Sequence, residues 1–352
     1  MVRSILRMRT LGAARQSRAF SSSPRQYAAE VKSLGVIGAG QMGLGIALVA
    51  ARQAKVPVSL IDTSDRSLDK GLAFAGQWGR RVPPYNIFFS SSSQFRILGL
   101  ADEVALRTDK LLGKDVSKSR ITQDEADAAR ALLKPSTKLE DLSSVDFVIE
   151  AVPEIPQLKY DIFKQLAQIC SAHAILATNT SSISITKIAA ATTSDPTDTS
   201  ASSRVVSTHF MNPVPVQKGV EIISGLQTSR ETVDTAVEFC KRLGKVTSVS
   251  ADSPGFLANR ILMPYINEAV ICLETGVGDR DSIDAIMKNG TNVPMGPLQL
   301  ADFIGIDTCL AIMKVLHEEM GDSKYRPSVL MTKMVDAGWL GKKSGKGFYE
   351  YQ

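Results

Sequence analysis

The chain contains only three histidines, His173, His209 and His317. A reaction that oxidises an alcohol needs a base near neutral pH to take the hydroxyl proton, and imidazole suits that task best. His317 stands beside Glu318 and Glu319 on a polar helical stretch and reads as a solvated surface residue. His173 precedes an apolar strand, at the end away from where open α/β sheets bind ligands. His209 instead ends a strand, within Thr208-His209-Phe210-Met211-Asn212-Pro213-Val214-Pro215, which is the ligand side. On position alone, a catalytic base and a structural, hydrogen-bonded histidine are equal readings. Glu221 follows twelve residues later, flanked by Val220, Ile222 and Ile223, so its carboxylate lies on an apolar segment and needs a partner. Pairing with His209 would orient the ring and favour its protonated form; a half-exposed strand glutamate is the competing reading.

A second group of residues has the spacing of a phosphate cradle. Gly38-Ala39-Gly40-Gln41-Met42-Gly43 follows a strand and opens a helix. Gly38 makes the tight turn, Gly40 lets a pyrophosphate approach the backbone, and Gly43 permits close helix–strand packing, with the helix N-terminus presenting N–H groups to the phosphates. Asp62 ends the next strand, 19 residues after Gly43. A carboxylate there accepts bonds from an adenosine ribose and repels a 2′-phosphate, which favours NAD over NADP. No glycine closes the first helix; Ala54-Lys55 stand there instead. Two further strand ends point at the same crevice: the polar run Thr178-Asn179-Thr180-Ser181-Ser182, and Glu150-Ala151-Val152-Pro153-Glu154 with its two carboxylates.

The elements that would position these residues alternate in type. Apolar strands are expected at Val31–Ile37, Val58–Ile61, Val145–Glu150, Ala174–Thr178 and Val205–His209. Helices are expected at Gln41–Gln53, Ser64–Ala75, Thr122–Leu133, Gln157–Ile169 and Ile183–Ala191. This alternation predicts a Rossmann-type, mostly parallel sheet covered on both faces. From about Ser253 the pattern is wholly helical, at Gly255–Glu274, Asp281–Lys288, Pro297–Ile304, Asp307–Met320 and Ser328–Ala337. The expected division is therefore a dinucleotide-binding domain over 30–250 and a smaller all-α domain over 251–352. Residues 76–108 break the pattern, with Pro83-Pro84, Ser90–Ser93, Phe88, Phe89 and Phe95. Removing them brings Leu68, Leu72, Ala75 and Leu112 onto one helical face, so the segment reads as an insertion into a helix, of the kind a retained intron would leave; an ordinary surface loop is the other reading.

Composition separates leader from body. Of the chain's 352 residues, 44% are hydrophobic and 22% charged, globular values that exclude a disordered or collagenous chain. The net charge of +5 resides in residues 1–29, which hold Arg3, Arg7, Arg9, Arg15, Arg18 and Arg25, with no lysine and no acid. The remainder is nearly neutral, which argues against nucleic acid as a partner. An arginine- and serine-rich, acid-free start with interspersed Ile5, Leu6, Met8 and Leu11 has the character of a mitochondrial transit peptide, so the expected compartment is the mitochondrial matrix. The run Leu34–Ala51 is apolar enough to suggest a membrane span, but its five glycines and changing period indicate strand then helix. Cys170, Cys240, Cys272 and Cys309 are dispersed, without metal-like or redox spacing.

Taken together, these motifs resemble the 3-hydroxyacyl-CoA dehydrogenase family, most closely its 3-hydroxybutyryl-CoA branch. The resemblance covers about 31–75 and 109–352. It is carried by Gly38–Gly43, Asn179–Ser182, His209–Pro215, Ser253-Pro254-Gly255-Phe256-Leu257-Ala258-Asn259-Arg260, and the tail Gly341-Lys342-Lys343-Ser344-Gly345-Lys346-Gly347-Phe348-Tyr349. It implies NAD-dependent oxidation of an (S)-3-hydroxyacyl-CoA, with His209 as general base and Glu221 as its orienting partner. It also implies Ser181 and Asn259 at the substrate oxygen and nicotinamide, and Glu154, Lys159, Asn212 and Lys343 near the dinucleotide. A helical hairpin after the second strand would touch coenzyme A, but here it coincides with the interrupted region. The helical domain is expected to form a homodimer, because Phe256, Leu257, Ile261, Leu262, Ile266 and Val270 crowd one helix. Two alternatives remain at this level: a related β-hydroxy-acid or sugar-acid dehydrogenase, and an NAD-binding protein silenced by 76–108.

Overall fold

The computed structural model describes residues 29–62 and 100–351. Eight strands form one sheet in the order β3-β2-β1-β4-β5-β6-β7-β8. They are β1 (Leu34–Ile37), β2 (Val58–Ile61), β3 (Leu133–Ser136), β4 (Phe147–Glu150), β5 (Ile175–Thr178), β6 (Val205–Phe210), β7 (Gly219–Ser224) and β8 (Val246–Ala251). All neighbours pair in parallel except β6 and β7, which are antiparallel. The central strands β1, β4, β5 and β6 are buried along their whole length, as expected for a sheet covered on both faces. The helices α1 (Gln41–Val49), α2 (Leu100–Ser117), α3 (Gln123–Ala131), α4 (Pro156–Ile169), α5 (Ile185–Ala190) and α6 (Arg230–Arg242) provide that cover.

One hydrophobic cluster, with Leu34, Ile46, Phe147 and Phe239, fills one side of the sheet. A second, with Phe163, Leu166, Leu176 and Ile188, fills the other. A third core, including Ile266, Val270, Leu310, Met313 and Tyr325, belongs to the helical part. That part comprises α7 (Ala258–Glu274), α8 (Arg280–Gly290), α9 (Pro297–Ile304), α10 (Ile306–Met320) and α11 (Val329–Asp336). The C-terminal tail is tied to it by Asp302, whose carboxylate accepts the amides of Phe348 (2.9 Å) and Tyr349 (2.8 Å). Gly341 and Gly347 are needed there because a Cβ at either would overlap Asp302.

Three departures from the sequence expectation concern the first half of the sheet. The helix expected to resume at Asp109 starts at Leu100, so residues 100–108 continue into α2, with Val104, Thr108 and Leu112 on its buried side. The atypical stretch therefore does not extend to 108. The helix expected over Thr122–Leu133 ends at Ala131, and Leu133–Ser136 forms the edge strand β3. Pro135 has no N–H to donate, which an edge strand paired only with β2 tolerates. The first helix closes with a π-helical turn, Ala50–Ala54, and Lys55 takes the left-handed conformation (φ 54°) usually left to glycine. The expected helix Ser64–Ala75, the leader and most of 76–108 lie outside the described residues. No helix among the described residues is long and apolar enough to cross a membrane.

Candidate active site

His209 and Glu221 are brought together by strand pairing. They are direct cross-strand partners in the β6–β7 ladder, so their side chains leave the same face of the sheet. His209 Nδ1 lies 2.8 Å from Glu221 Oε2, with both residues nearly buried, at 7% and 5% exposure. The other carboxylate oxygen, Oε1, accepts the backbone N–H groups of Leu257 (3.0 Å) and Ala258 (2.8 Å) at the start of α7. Burial alone would raise the Glu221 pKa. The bond from His209, the Ala258 amide, the imidazole's charge and the Leu257 amide together hold it below the usual carboxylate range.

The far nitrogen of the ring, Nε2, faces the β5 strand end, 3.0 Å from Ser181 Oγ. The Asn259 side-chain amide reaches the Ser181 carbonyl oxygen at 3.4 Å, so the loop after β5 and the start of α7 meet at the same point. Asn179 Oδ1 accepts the Phe210 N–H (2.8 Å), fastening the β5 end to the β6 end. All four residues expected at the reaction centre are therefore within one hydrogen-bonded group.

Below Ser181 lies a chain of charged groups that supports it. Glu154 Oε1 accepts from Thr180 Oγ1 (2.5 Å), the amides of Ser181 (2.9 Å) and Ser182 (3.0 Å), and Ser182 Oγ (3.0 Å). Its Oε2 lies 3.4 Å from Lys159 Nζ. Burial raises the Glu154 pKa, but Lys159 and these donors outweigh it and keep the carboxyl below its ordinary value. Lys159 is only 1% exposed and is held chiefly by Glu150 Oε1 at 2.6 Å. Glu150 also accepts the Val152 amide (2.7 Å) and Thr178 Oγ1 (2.7 Å). Reading the sequence placed Glu150 near the crevice without assigning it a task. Its nine-residue spacing to Lys159 pairs them only once β4 and α4 are packed.

The glycine turn is shaped to receive a dinucleotide. Gly38 has φ of 100°, and a Cβ there would come within 2.7 Å of the Ala151 carbonyl oxygen. A Cβ at Gly43 would overlap the Gly38 carbonyl, whereas Gly40 faces open space with nothing within 4 Å. Asp62 Oδ2 accepts the Ala39 amide at 2.9 Å, which puts its carboxylate beside the turn. Asn212 Oδ1 accepts Gln41 Nε2 at 3.2 Å. Arg107, from α2, donates to the Ala39 carbonyl at 3.3 Å; it fell within the stretch read as atypical and was not singled out. Lys343 is set apart from this group: its ammonium pairs with Asp307 in the helical domain (2.6 Å). His173 is exposed near Ser171 and Asp146, and His317 lies on α10. No cluster of three or more potential metal ligands occurs among the described residues.

The arrangement is that of an α/β dehydrogenase with a nucleotide turn, a buried acid–imidazole pair and a hydroxyl facing the imidazole's free nitrogen. The model of the 3-hydroxyacyl-CoA dehydrogenase NAD-binding domain matches residues 33–83 and 99–253, and that of the same family's C-terminal domain matches 255–351. A probable 3-hydroxybutyryl-CoA dehydrogenase of Bacillus subtilis is 44% identical over 323 residues, covering 92% of this chain and 98% of the relative. The mitochondrial hydroxyacyl-coenzyme A dehydrogenase of Rattus norvegicus is 35% identical, covering 92% of each. The crystal structure of (S)-3-hydroxybutyryl-CoA dehydrogenase from Ralstonia eutropha superposes with a TM-score of 0.76 at 41% identity, over 92% of this chain and 100% of that one.

The chain thus belongs to the 3-hydroxyacyl-CoA dehydrogenase family. It is an NAD-dependent oxidoreductase that acts on 3-hydroxyacyl-CoA thioesters.

Proposed function

We propose that the chain reversibly oxidises (S)-3-hydroxybutyryl-CoA and similar short-chain thioesters to the 3-oxoacyl-CoA, in fatty-acid β-oxidation, with His209 as the base. The observation that carries this is the line Ser181 Oγ–His209 Nε2 (3.0 Å) and His209 Nδ1–Glu221 Oε2 (2.8 Å). With Nδ1–H donated to Glu221, Nε2 is left with its lone pair toward the cleft and takes the C3 hydroxyl proton. Glu221 holds the ring in that tautomer and stabilises the charge that forms. Ser181 and Asn259 orient the substrate oxygen. NAD, when bound, accepts the hydride from C3. The Gly38–Gly43 turn and α1 receive its phosphates and Asp62 its adenosine ribose, with Glu154 and Asn212 as further residues toward it; Lys159 acts through Glu154, and Lys343, paired with Asp307 in the helical domain, stands apart.

The test is NADH oxidation with acetoacetyl-CoA, compared with longer 3-oxoacyl-CoAs and with free 3-oxo acids. Turnover falling steadily with chain length and absent without the thioester supports the reading. Preference for a free acid would overturn it.

The acid-free, arginine-rich leader and the mitochondrial rat relative support import into the mitochondrial matrix. Import assays of the full chain against one lacking residues 1–29 test this. A homodimer is supported by the surface where α7 crosses β7 and β8. There Leu257 and Ile261 are exposed and line an apolar cavity of about 410 Å³ that also touches Leu262 and Tyr265. Phe256, Ile266 and Val270, by contrast, are buried in the chain's own cores. The atypical segment is best confined to 84–98, since the family match stops at 83, resumes at 99, and α2 begins at Leu100.

A further inference from the structure

Lys245 is a buried cation that this chemistry does not use. It follows Gly244, whose φ of 73° ends α6, and its amide closes that helix on the Cys240 carbonyl at 3.0 Å. The turn directs the side chain inward at the start of β8, where the residue is 8% exposed. Its Nζ donates to the carbonyl oxygens of Val214 (2.5 Å) and Gln217 (2.8 Å). No carboxylate pairs with it among the described residues, and burial lowers its pKa. An ammonium without a counter-anion is costly to bury, so these two bonds are the compensation for its presence.

Both carbonyls belong to one loop, residues 211–218, between β6 and β7. The amides of Val216 and Gln217 both turn back to the Pro213 carbonyl, at 3.0 and 2.9 Å, so Lys245 ties together the two ends of a tight turn. That loop meets the first helix twice. Asn212 accepts the Gln41 side chain at 3.2 Å, and Val214 packs where Gly45 stands, so closely that a Cβ at Gly45 would lie 3.1 Å from that of Val214. The loop begins two residues after His209. One ammonium therefore sets the piece of backbone that lies between the imidazole and the nucleotide turn.

We propose that Lys245 is a positioning residue for the cofactor: by holding the Val214 and Gln217 carbonyls it shapes the loop that lays Asn212 on Gln41 and Val214 on α1. This rests on the reading of Asn212 and the glycine turn as the dinucleotide's seat. The experiment measures NADH dissociation constants by fluorescence, and KM values for NADH and acetoacetyl-CoA, on the full chain and on Lys245→Met, Lys245→Gln, Asn212→Ala and the Lys245→Met/Asn212→Ala pair.

Lys245→Met is expected to weaken NADH about tenfold while the acetoacetyl-CoA KM at saturating NADH stays within about twofold. Lys245→Gln, which keeps two donors, is expected to recover most of the loss, and Asn212→Ala to add little on top of Lys245→Met. Unchanged NADH affinity in Lys245→Met while Asn212→Ala weakens it overturns the proposal. So do additive losses, or a lowered Tm with all constants unaltered. Should Lys245→Met not fold, Lys245→Asn, polar but too short to reach both carbonyls, paired with Asn212→Ala carries the same cycle. An Asn212→Ala variant with wild-type NADH affinity removes the underlying seat, and with it the role of Lys245, which is a different failure from the first.

Discussion

Two buried carboxylates stand on strands of the same sheet, and each holds a nitrogen base. Glu150 on β4 is 0% exposed and shares its oxygens among Lys159 Nζ, the Val152 amide and Thr178 Oγ1. Glu221 on β7 shares its oxygens between the α7 amides and His209 Nδ1. The carboxylates are nearly equivalent; their partners are not. Lys159 directs its ammonium to Glu150, Glu154 and the Val152 carbonyl, so it can only hold shape. His209 keeps a second nitrogen facing Ser181 and can pass a proton through it. The two pairs are also joined, because Lys159 steadies Glu154 and Glu154 fixes the backbone of Ser181. Of the two buried pairs, only the one with bonding capacity left over is equipped for proton transfer.

The largest expected effect falls on the open pair. His209→Gln should lose on the order of a hundred- to ten-thousand-fold in turnover while still binding NADH. Near-wild-type turnover would erase the distinction between the pairs. The sealed pair should instead show itself in stability. Lys159→Met leaves the Glu150 carboxylate buried and unpaired, and urea unfolding should register a loss of about 3–5 kcal/mol. A change below about 1 kcal/mol would mean that the pair contributes no shape.

A smaller effect is set by pH. The Glu221 pKa in the folded chain is held below its ordinary value of 4.5, so its contribution to stability is complete above that value. That contribution is lost as pH falls through the lowered one. Glu221→Gln should therefore be less stable than wild type near neutrality, with the gap closing on acidification below about pH 4.5. A gap that stays constant in acid would show that the carboxylate's charge is not what stabilises the site. The smallest effect should come from Ser181→Ala, which removes one hydroxyl from Nε2 and should cost about 1 kcal/mol in kcat/KM, with NADH affinity unaltered. A loss matching that of His209→Gln would make the serine part of the proton transfer itself.

The parts of this molecule legible in the sequence are those written in local periodicity. β2 and α9 fall where the pattern predicts them, and the glycine turn sits between β1 and α1 as its spacing requires. β3 was hidden because Pro135 and a preceding helical pattern mask an edge strand. β8 was hidden because it is largely exposed and polar at Thr247, Ser248 and Ser250. The α2 start is masked because the composition of 76–108 has the character of one irregular block, although its last nine residues are ordinary helix.

Local sequence sufficed for the class of fold, for the glycine turn with Asp62 at the end of the next strand, and for the one histidine at a ligand-side strand end. These depend on neighbours within a few residues, where spacing and residue type are sufficient. The surroundings of His209 follow from long-range packing alone. The antiparallel β6–β7 register set Glu221 opposite it, α7 supplied two amides from 36 and 37 residues beyond Glu221, and the β5 end supplied Ser181 from 28 residues before the imidazole. The ion pair of Lys159 with Glu150 and the two carbonyl bonds of Lys245 likewise follow from packing alone. A hydrogen bond between distant segments is fixed by strand order and register, and no local pattern encodes either.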